Sequence, residues 1–170
     1  MKNKKLLRLV IAAMFAALVT GLTFFPKIPI PGGGYVHLGD AMIYLAASFL
    51  PLPYAMAAAA IGGGLADILS GFASYAPFTI IVKALLTVAF TGKNEKILAK
   101  RNYFAPLAGL VITPVIYLFA DAILANSFAA AVPNMIWNLA QAVASLIVYY
   151  IIGAAFDKMG LKKKLIGKIQ

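Results

Sequence analysis

Long apolar runs alternate with short polar or proline-containing breaks along the whole chain. Proline cannot continue a helix but is tolerated in its first turn, so Pro51 and Pro53 separate two runs and Pro77 begins another. The pattern predicts six apolar helices, at about 6–25, 38–52, 53–72, 77–92, 103–125 and 132–156. The second and fourth fall short of the roughly 20 residues that a membrane crossing needs. We expect these two to be tilted or tucked against their neighbours.

The overall composition indicates which solvent these helices face. Hydrophobic residues make up 63% of the chain and charged residues 12%, against about 45–50% and about 25% in a soluble domain. We therefore predict an all-α integral membrane protein, with residues 1–170 forming one domain of six transmembrane helices. The chain has no cysteine, which excludes disulfides, thiol catalysis and thiolate metal sites.

The positive charges indicate an orientation. Thirteen of the 15 basic residues fall in three clusters, within 2–8, 93–101 and 158–168. Six crossings bring all three clusters to one face, which the positive-inside rule assigns to the cytoplasm together with both termini. The net charge of +10 then reflects orientation and attraction to anionic lipid, and we expect no nucleic-acid partner. A secretory signal peptide at the start is the alternative, but its removal would leave five spans and break this charge agreement.

Polar side chains within the apolar segments concentrate in the half opposite the basic clusters. Ionisable groups are costly in a membrane and usually mark a functional interior. Asn134, Asn138 and Gln141 have the spacing of one helix face, with Trp137 adjacent. The full set is Asp40, Asp67, Lys83, Tyr117, Asp121, Asn134, Asn138 and Gln141. The inner half offers no comparable row of charged or hydrogen-bonding residues, so we expect an outward-facing pocket in a protein that does not complete transport alone.

Two further stretches have a composition that needs explanation. The segment 31–41, PGGGYVHLGDA, falls outside, between the first two helices, where its glycines permit close approach to a ligand. We interpret it as a lid over the pocket.

The first helix carries two small-x-x-x-small pairs, a pattern through which helices associate in lipid. These pairs, Ala12 with Ala16 and Ala13 with Ala17, predict a partner surface.

Together these residues resemble the substrate-binding S component of energy-coupling factor (ECF) vitamin transporters, six-helix membrane proteins of bacteria and archaea. The resemblance covers essentially the whole chain. It rests on Ala12 with Ala16, on GYVHLGD at 34–40, on GGGLADILSG at 62–71 and on YAPFTIIVK at 75–83.

The resemblance implies partners, a location and a site. The first-helix alanines would dock on a T component, and two ATPase subunits would drive import by toppling the S component in the cell membrane. The chain has no G-x-x-x-x-G-K-[ST] phosphate loop of its own, and we expect no catalytic residue, cofactor or metal. The implied vitamin-binding residues are Gly34, Tyr35, His37, Asp40, Lys83, Tyr117, Asp121, Trp137, Asn138 and Gln141.

The substrate class follows from the side chains in those regions. Aromatic walls from Tyr35, Tyr75, Tyr117 and Trp137, with amide and carboxylate partners, suit a flat, neutral, hydroxylated heterocycle. The HLGD opening resembles members assigned to vitamin B6, hydroxymethylpyrimidine or riboflavin. We favour the pyridoxine or hydroxymethylpyrimidine type, with riboflavin next.

Structural interpretations compete with these assignments. Asp40 is equally explained as the cap of the second helix, and His37 as a loop residue bonded to backbone. Lys83 and Asp67 are candidates for a structural ion pair. The amide stripe on the last helix is alternatively a contact between helices.

Two other functions are open to test. Gly39-Asp40 with a second aspartate is typical of an intramembrane aspartyl protease, although Asp40 lies at the membrane edge. A solitary channel or carrier is the second, and it would transport substrate without partners.

Overall fold

The computed structural model describes residues 2–31 and 34–169. Most of the described chain is helical, and the rest forms one short hairpin and the connecting loops. The long helices are α1 (Lys2–Phe24), α2 (Gly39–Phe49), α3 (Leu52–Leu69), α4 (Ala76–Val88), α6 (Gly109–Leu124) and α8 (Asn134–Lys158). Shorter elements are α5 (Lys100–Phe104), a 3-10 turn (Ala105–Ala108), α7 (Phe128–Ala131) and α9 (Leu161–Ile169).

Helix length and composition confirm a membrane protein. Within the described residues, four helical segments are long and apolar enough to cross a bilayer: Asn3–Phe24, Leu52–Leu69, Lys100–Leu124 and Phe128–Lys158. Helix α4 is apolar but shorter. The fold is therefore all-α with several spanning-length helices, while six crossings and cytoplasmic termini stay predictions.

Helix α2 forms the centre of the bundle. All 11 of its residues are buried, and it contacts α1, α3, α4 and α8. A helix that is apolar all round suits either a protein interior or lipid, and here protein covers every face. Its Tyr44 is fully buried, stacked on Phe90 with ring centroids 5.2 Å apart and meeting the edge of Tyr149 at 5.8 Å. The second segment is thus short because it is enclosed by protein.

Three consecutive glycines in α3 let two other helices approach it. A Cβ at Gly62 would lie 2.7 Å from the carbonyl oxygen of Ala16 in α1, and one at Gly63 would lie 2.8 Å from Cγ of Lys83 in α4. The Thr20 hydroxyl donates to the Gly62 carbonyl at 3.0 Å. Small residues permit this close packing of helix backbones. The glycines therefore bring α1 and α4 against opposite sides of α3.

The connection between α1 and α2 contains a two-stranded hairpin, β1 (Ile28–Pro29) and β2 (Tyr35–Val36). The strands are antiparallel, with Ile28 opposite Val36 and Pro29 opposite Tyr35. Gly34 precedes β2 with φ of +87°, a conformation that glycine adopts at no steric cost. Gly32 and Gly33 of the predicted lid lie outside the described residues. The hairpin and the residues up to Leu38 are called the lid below.

The basic end of the bundle contains elements that the apolar pattern did not predict. Helix α9 is one of these, and its Lys162 is 1% exposed, where burial lowers the pKa of the amine to about 8. The Asp157 carboxylate at the end of α8 accepts hydrogen bonds from the backbone N–H groups of Ile97 and Leu98 at 2.6 and 2.9 Å. These contacts fasten the loop before α5 to the last long helix.

Candidate functional site

A narrow cleft lies beneath the lid, between the lid and the facing ends of α3, α4, α6 and α8. Its cavity volume is ≈50 Å³, whereas ligand sites usually have about 300–1,000 Å³. A vitamin-sized molecule therefore fits only after the walls move apart. The lining residues are Ile30, Gly34, Tyr35, His37, Asp67, Phe72, Tyr75, Thr79, Tyr117, Asp121, Asn138 and Gln141.

One wall joins the lid to α3. The Tyr35 hydroxyl donates to Oδ1 of Asp67 at 2.8 Å, and the Asp67 side chain is buried. Oδ2 of Asp67 makes no hydrogen bond. Burial and the adjacent Asp67 charge raise the pKa of Tyr35, so the phenol stays protonated and keeps donating. The Tyr35 ring also lies 5.2 Å from that of Phe72, which holds the lid against the wall.

The opposite wall is built around a second carboxylate. Asp121 on α6 accepts from the Tyr75 hydroxyl at 2.8 Å and from the Asn134 amide at 3.1 Å. Thr79 and Tyr117 share a hydrogen bond of 2.8 Å. Asn134 thus connects α8 to α6, which agrees with the interpretation of the amide stripe as a contact between helices. Asn138, one turn further along α8, lines the cleft.

A buried ion pair lies behind the cleft. Lys83 Nζ is 2.6 Å from Asp40 Oδ1, and both side chains are 0% exposed. The Gln141 amide donates to Asp40 Oδ2 at 3.2 Å, and its carbonyl oxygen accepts from the backbone N–H of His37 at 3.3 Å. One continuous set of bonds therefore runs from Lys83 through Asp40 and Gln141 to the lid.

This geometry corrects two interpretations from the sequence. The partner of Lys83 is Asp40, not Asp67, because α2 lies at the bundle centre and presents Asp40 to α4. Asp40 does not cap α2, since its carboxylate is engaged by Lys83 and Gln141 and the N-cap residue is Leu38, without a side-chain cap.

His37 bonds to the backbone, as one of the two interpretations expected, and its place at the cleft leaves ligand contact a prediction. Its Nδ1 accepts the backbone N–H of Gly39 at 3.1 Å, and its side chain also lines the cleft. Burial, reinforced by the positive charge of Lys83, lowers the pKa of His37 to about 3. The ring is therefore neutral near pH 7, and because Nδ1 is an acceptor, Nε2 carries the proton.

The cleft brings together most, but not all, of the residues predicted for it. Gly34, Tyr35, His37, Tyr117, Asp121, Asn138 and Gln141 line it. Asp40 and Lys83 lie behind it as the ion pair, and the structure does not bring Trp137, which is 39% exposed, to the cleft. Asp67 and Tyr75, which the sequence analysis placed among the polar set and the aromatic walls but not among the implied vitamin-binding residues, also line it. Ile30, Phe72 and Thr79 line it without having been predicted. A signal for Thr79 was present, since it precedes Lys83 by one helical turn.

A second concavity lies on the outer surface of α1 and α3. It measures ≈610 Å³ and is almost wholly apolar. Ala12, Ala13, Ala16 and Ala17, the four residues of the predicted partner surface, all line it. It lacks the grouped carboxylates of the cleft, so it suits a helix rather than a polar ligand.

The half of the bundle nearer the basic clusters contains buried hydrogen-bonding residues that the sequence analysis did not name; they do not contradict its statement that no polar row leads through this half. Ser48 and Tyr149 are fully buried and share a hydrogen bond of 2.9 Å between α2 and α8. Asn102 is also fully buried and joins the Thr91 and Ile97 backbone at 2.8–3.0 Å. These polar groups were overlooked because they bond within the protein instead of lining a path.

The helices and the cleft define a multi-pass membrane protein with a polar site covered by a lid. Comparison with known families then assigns the chain: residues 3–158 match the family "ECF-type riboflavin transporter, S component", and the chain belongs to this family. Comparison with curated proteins gives no match. Members of this family are vitamin-binding transport subunits, not enzymes, and membership implies association with T and ATPase components. The resemblance stated from the sequence is confirmed.

Proposed function

We propose that this chain binds riboflavin in the cleft under the lid and delivers it as the S component of an ECF importer. The observation that supports this most is the cleft itself: polar side chains from α3, α4, α6 and α8 converge beneath a hairpin in a membrane protein. Riboflavin is preferred over pyridoxine or hydroxymethylpyrimidine because the matching family is described as a riboflavin transporter component.

Binding requires the lid to move. Two hydrogen bonds connect the lid to helices that lie far from it in sequence, from the Tyr35 hydroxyl to Asp67 and from the His37 N–H to Gln141, and the Tyr35–Phe72 ring contact adds to them. Hydrogen bonds of this kind contribute about 0.5–1.5 kcal/mol each. The lid therefore opens at a cost that the binding of a vitamin offsets, and the cleft widens from its ≈50 Å³.

The remaining parts of the assignment concern the membrane and the partners. The chain forms one domain, residues 1–170, crossing the plasma membrane of a bacterium or archaeon six times with both termini in the cytoplasm. Supporting this, the three basic clusters then share one side. The α1–α3 groove binds the T component through Ala12, Ala13, Ala16 and Ala17, and two ATPase subunits power release.

Two measurements test the ligand. Mass spectrometry of small molecules that copurify with the detergent-solubilised protein should detect riboflavin. Titration of flavin fluorescence with the purified chain should show saturable quenching, and vesicles containing the chain alone should show no uptake until T and ATPase subunits are added. Recovery of pyridoxine or hydroxymethylpyrimidine instead would redirect the assignment, and uptake by the chain alone would favour a solitary carrier.

A substitution tests the location of the site. Asn138→Ala removes an amide from the cleft wall and should weaken riboflavin binding by about tenfold, as expected for one lost polar contact. Asn94→Ala, in an exposed loop at the basic end, is the matched control. Equal affinity of the two variants would place the site elsewhere.

A further inference from the structure

The side chains that line the cleft offer more hydrogen-bond acceptors than donors. The hydroxyl protons of Tyr35 and Tyr75 are already donated to Asp67 and Asp121, so these phenols offer only oxygen lone pairs to a ligand. Oδ2 of Asp67 is buried and makes no hydrogen bond. The Asn138 amide nitrogen donates to the Asn134 carbonyl at 3.2 Å, which leaves its oxygen and one N–H available, and the His37 ring adds one further N–H. A ligand that satisfies this surface must itself be rich in O–H or N–H donors.

The ionisable side chains of the same surface include carboxylates but no lysine or arginine among the described lining residues. The carboxylates are those of Asp67 and Asp121. The charge of Lys83 is matched by Asp40 at 2.6 Å, and that pair lies behind the wall. Lys27, just before the lid, lies with its Nζ 5.6 Å from the centroid of the Tyr35 ring and is not a lining residue. The wall therefore has two carboxylates without a facing cation.

We propose that the cleft selects uncharged, donor-rich ligands and rejects phosphate esters and carboxylates, with Asp67 and Asp121 as the residues that determine this specificity. This inference rests on the proposed function and names the ligand class of the same site.

The physical basis is the desolvation of like charges. A phosphate ester carries about −1.5 to −2 charge near neutral pH, and burying it costs free energy unless a cation or donor set pairs with it. Here it would meet two carboxylates, which repel it, and no Lys or Arg among the described lining residues pairs with it. Rejection through an unfavourable charge is a general route to specificity. A neutral polyol chain instead donates to the carboxylates and the tyrosine oxygens.

Three flavins test the inference on the native protein. Fluorescence titration is carried out with riboflavin, its uncharged 5′-acetate and its 5′-phosphate, so that size and charge are separated. We expect the phosphate to bind at least about tenfold more weakly than the acetate. Asp67→Asn keeps an acceptor for Tyr35 and removes one charge. It should therefore lower the ratio of the Kd for the phosphate to the Kd for the acetate. Glu95→Gln, the same charge change at a side chain that is 63% exposed, should leave the ratio unchanged.

Each other outcome has a defined meaning. Equal binding of the phosphate and the acetate overturns the inference while leaving the proposed function intact. The same holds for an acetate rejected as strongly as the phosphate, because size would then decide. A ratio that stays constant in an Asp67→Asn variant that still binds riboflavin removes Asp67 from the specificity role. If none of the three flavins binds, the proposed function fails and the inference fails with it.

Discussion

Removal of the amine from the buried ion pair should cost more than any surface change in this protein. Lys83→Met keeps the length and most of the volume of the side chain but deletes the positive charge. Asp40 then stays buried, with the Gln141 amide at 3.2 Å as its remaining side-chain partner. An unpaired buried charge is far more expensive than a pair removed completely.

The magnitude follows from the burial and the geometry. The two side chains are 0% exposed and their charged atoms lie 2.6 Å apart. Removing one partner of such a pair typically costs about 3–5 kcal/mol, whereas replacing both costs far less. For a chain of this size 1 kcal/mol shifts the Tm by about 2–4 °C. We therefore expect the Tm to fall by about 6–20 °C in Lys83→Met and by a similar amount in Asp40→Asn.

Thermal unfolding in detergent, followed by loss of the monodisperse peak in size-exclusion chromatography, measures this. The Lys83→Met/Asp40→Asn double variant should be less destabilised than the sum of the two single variants. Lys163→Met is the matched control, because its ion pair with Glu95 is 3.8 Å long and exposed and should shift the Tm by no more than about 2 °C. Single variants within about 2 °C of wild type, or strictly additive effects, would refute the reasoning.

Three other changes address packing, pH and assembly. Gly62→Val places a side chain against the α1 backbone and should lower the free energy of unfolding by about 1–3 kcal/mol. Gly21→Ala is the control, because a Cβ at Gly21 has nothing within 4 Å. Equal Tm values for the two variants would contradict this. Below pH 6.5 the unfolded chain protonates His37 but the folded chain, with a pKa of about 3, does not, so stability should fall with decreasing pH by up to about 1.4 kcal/mol per unit. His37→Asn should flatten this slope, and an unchanged slope would exclude His37 as its source. Ala16→Leu should prevent copurification with the T component without changing riboflavin affinity, in contrast to Ala140→Leu on an exposed part of α8; an unchanged yield of complex would remove the groove as the interface.

The helix boundaries were the most predictable part of the fold, because proline restricts the backbone locally. The break at Pro51 to Pro53 appears as the end of α2 at Phe49 and the start of α3 at Leu52. Pro77 falls in the first turn of α4. Such signals act within a few residues and need no knowledge of the tertiary structure.

The neighbours of each helix were less predictable, because lipid and protein interiors are equally apolar. Nothing in the pattern of 38–52 distinguishes a helix facing lipid from the fully enclosed α2. The assignment of Trp137 to the cleft failed to match the structure for a related reason. One residue along a helix is a rotation of about 100°, which carries Trp137 from the face of Asn138 to an exposed face.

Which aspartate pairs with Lys83 depends on the level of each helix in the bundle as well as on the face that carries each side chain. Three aspartates, Asp40, Asp67 and Asp121, had positions near the outer ends of predicted helices, and sequence spacing relates residues only within one helix. The choice among them required the level of each helix in the bundle. The glycines at 62–64 allow α4 to pack closely against α3, and in this arrangement Lys83 reaches Asp40.

Polar spacing along two helices did contain tertiary information that single-helix reasoning missed. Asp40 and Ser48 are eight residues apart in α2, and their partners Gln141 and Tyr149 are eight residues apart in α8. The two helices therefore run in the same direction and in register, joined by buried hydrogen bonds at both levels. Leaving such groups unpaired costs about 1–3 kcal/mol each, so separating α2 from α8 is expensive. The lid, whose hydrogen bonds to α3 and α8 are one from a tyrosine hydroxyl and one from a backbone N–H, is the part we expect to move when a ligand enters.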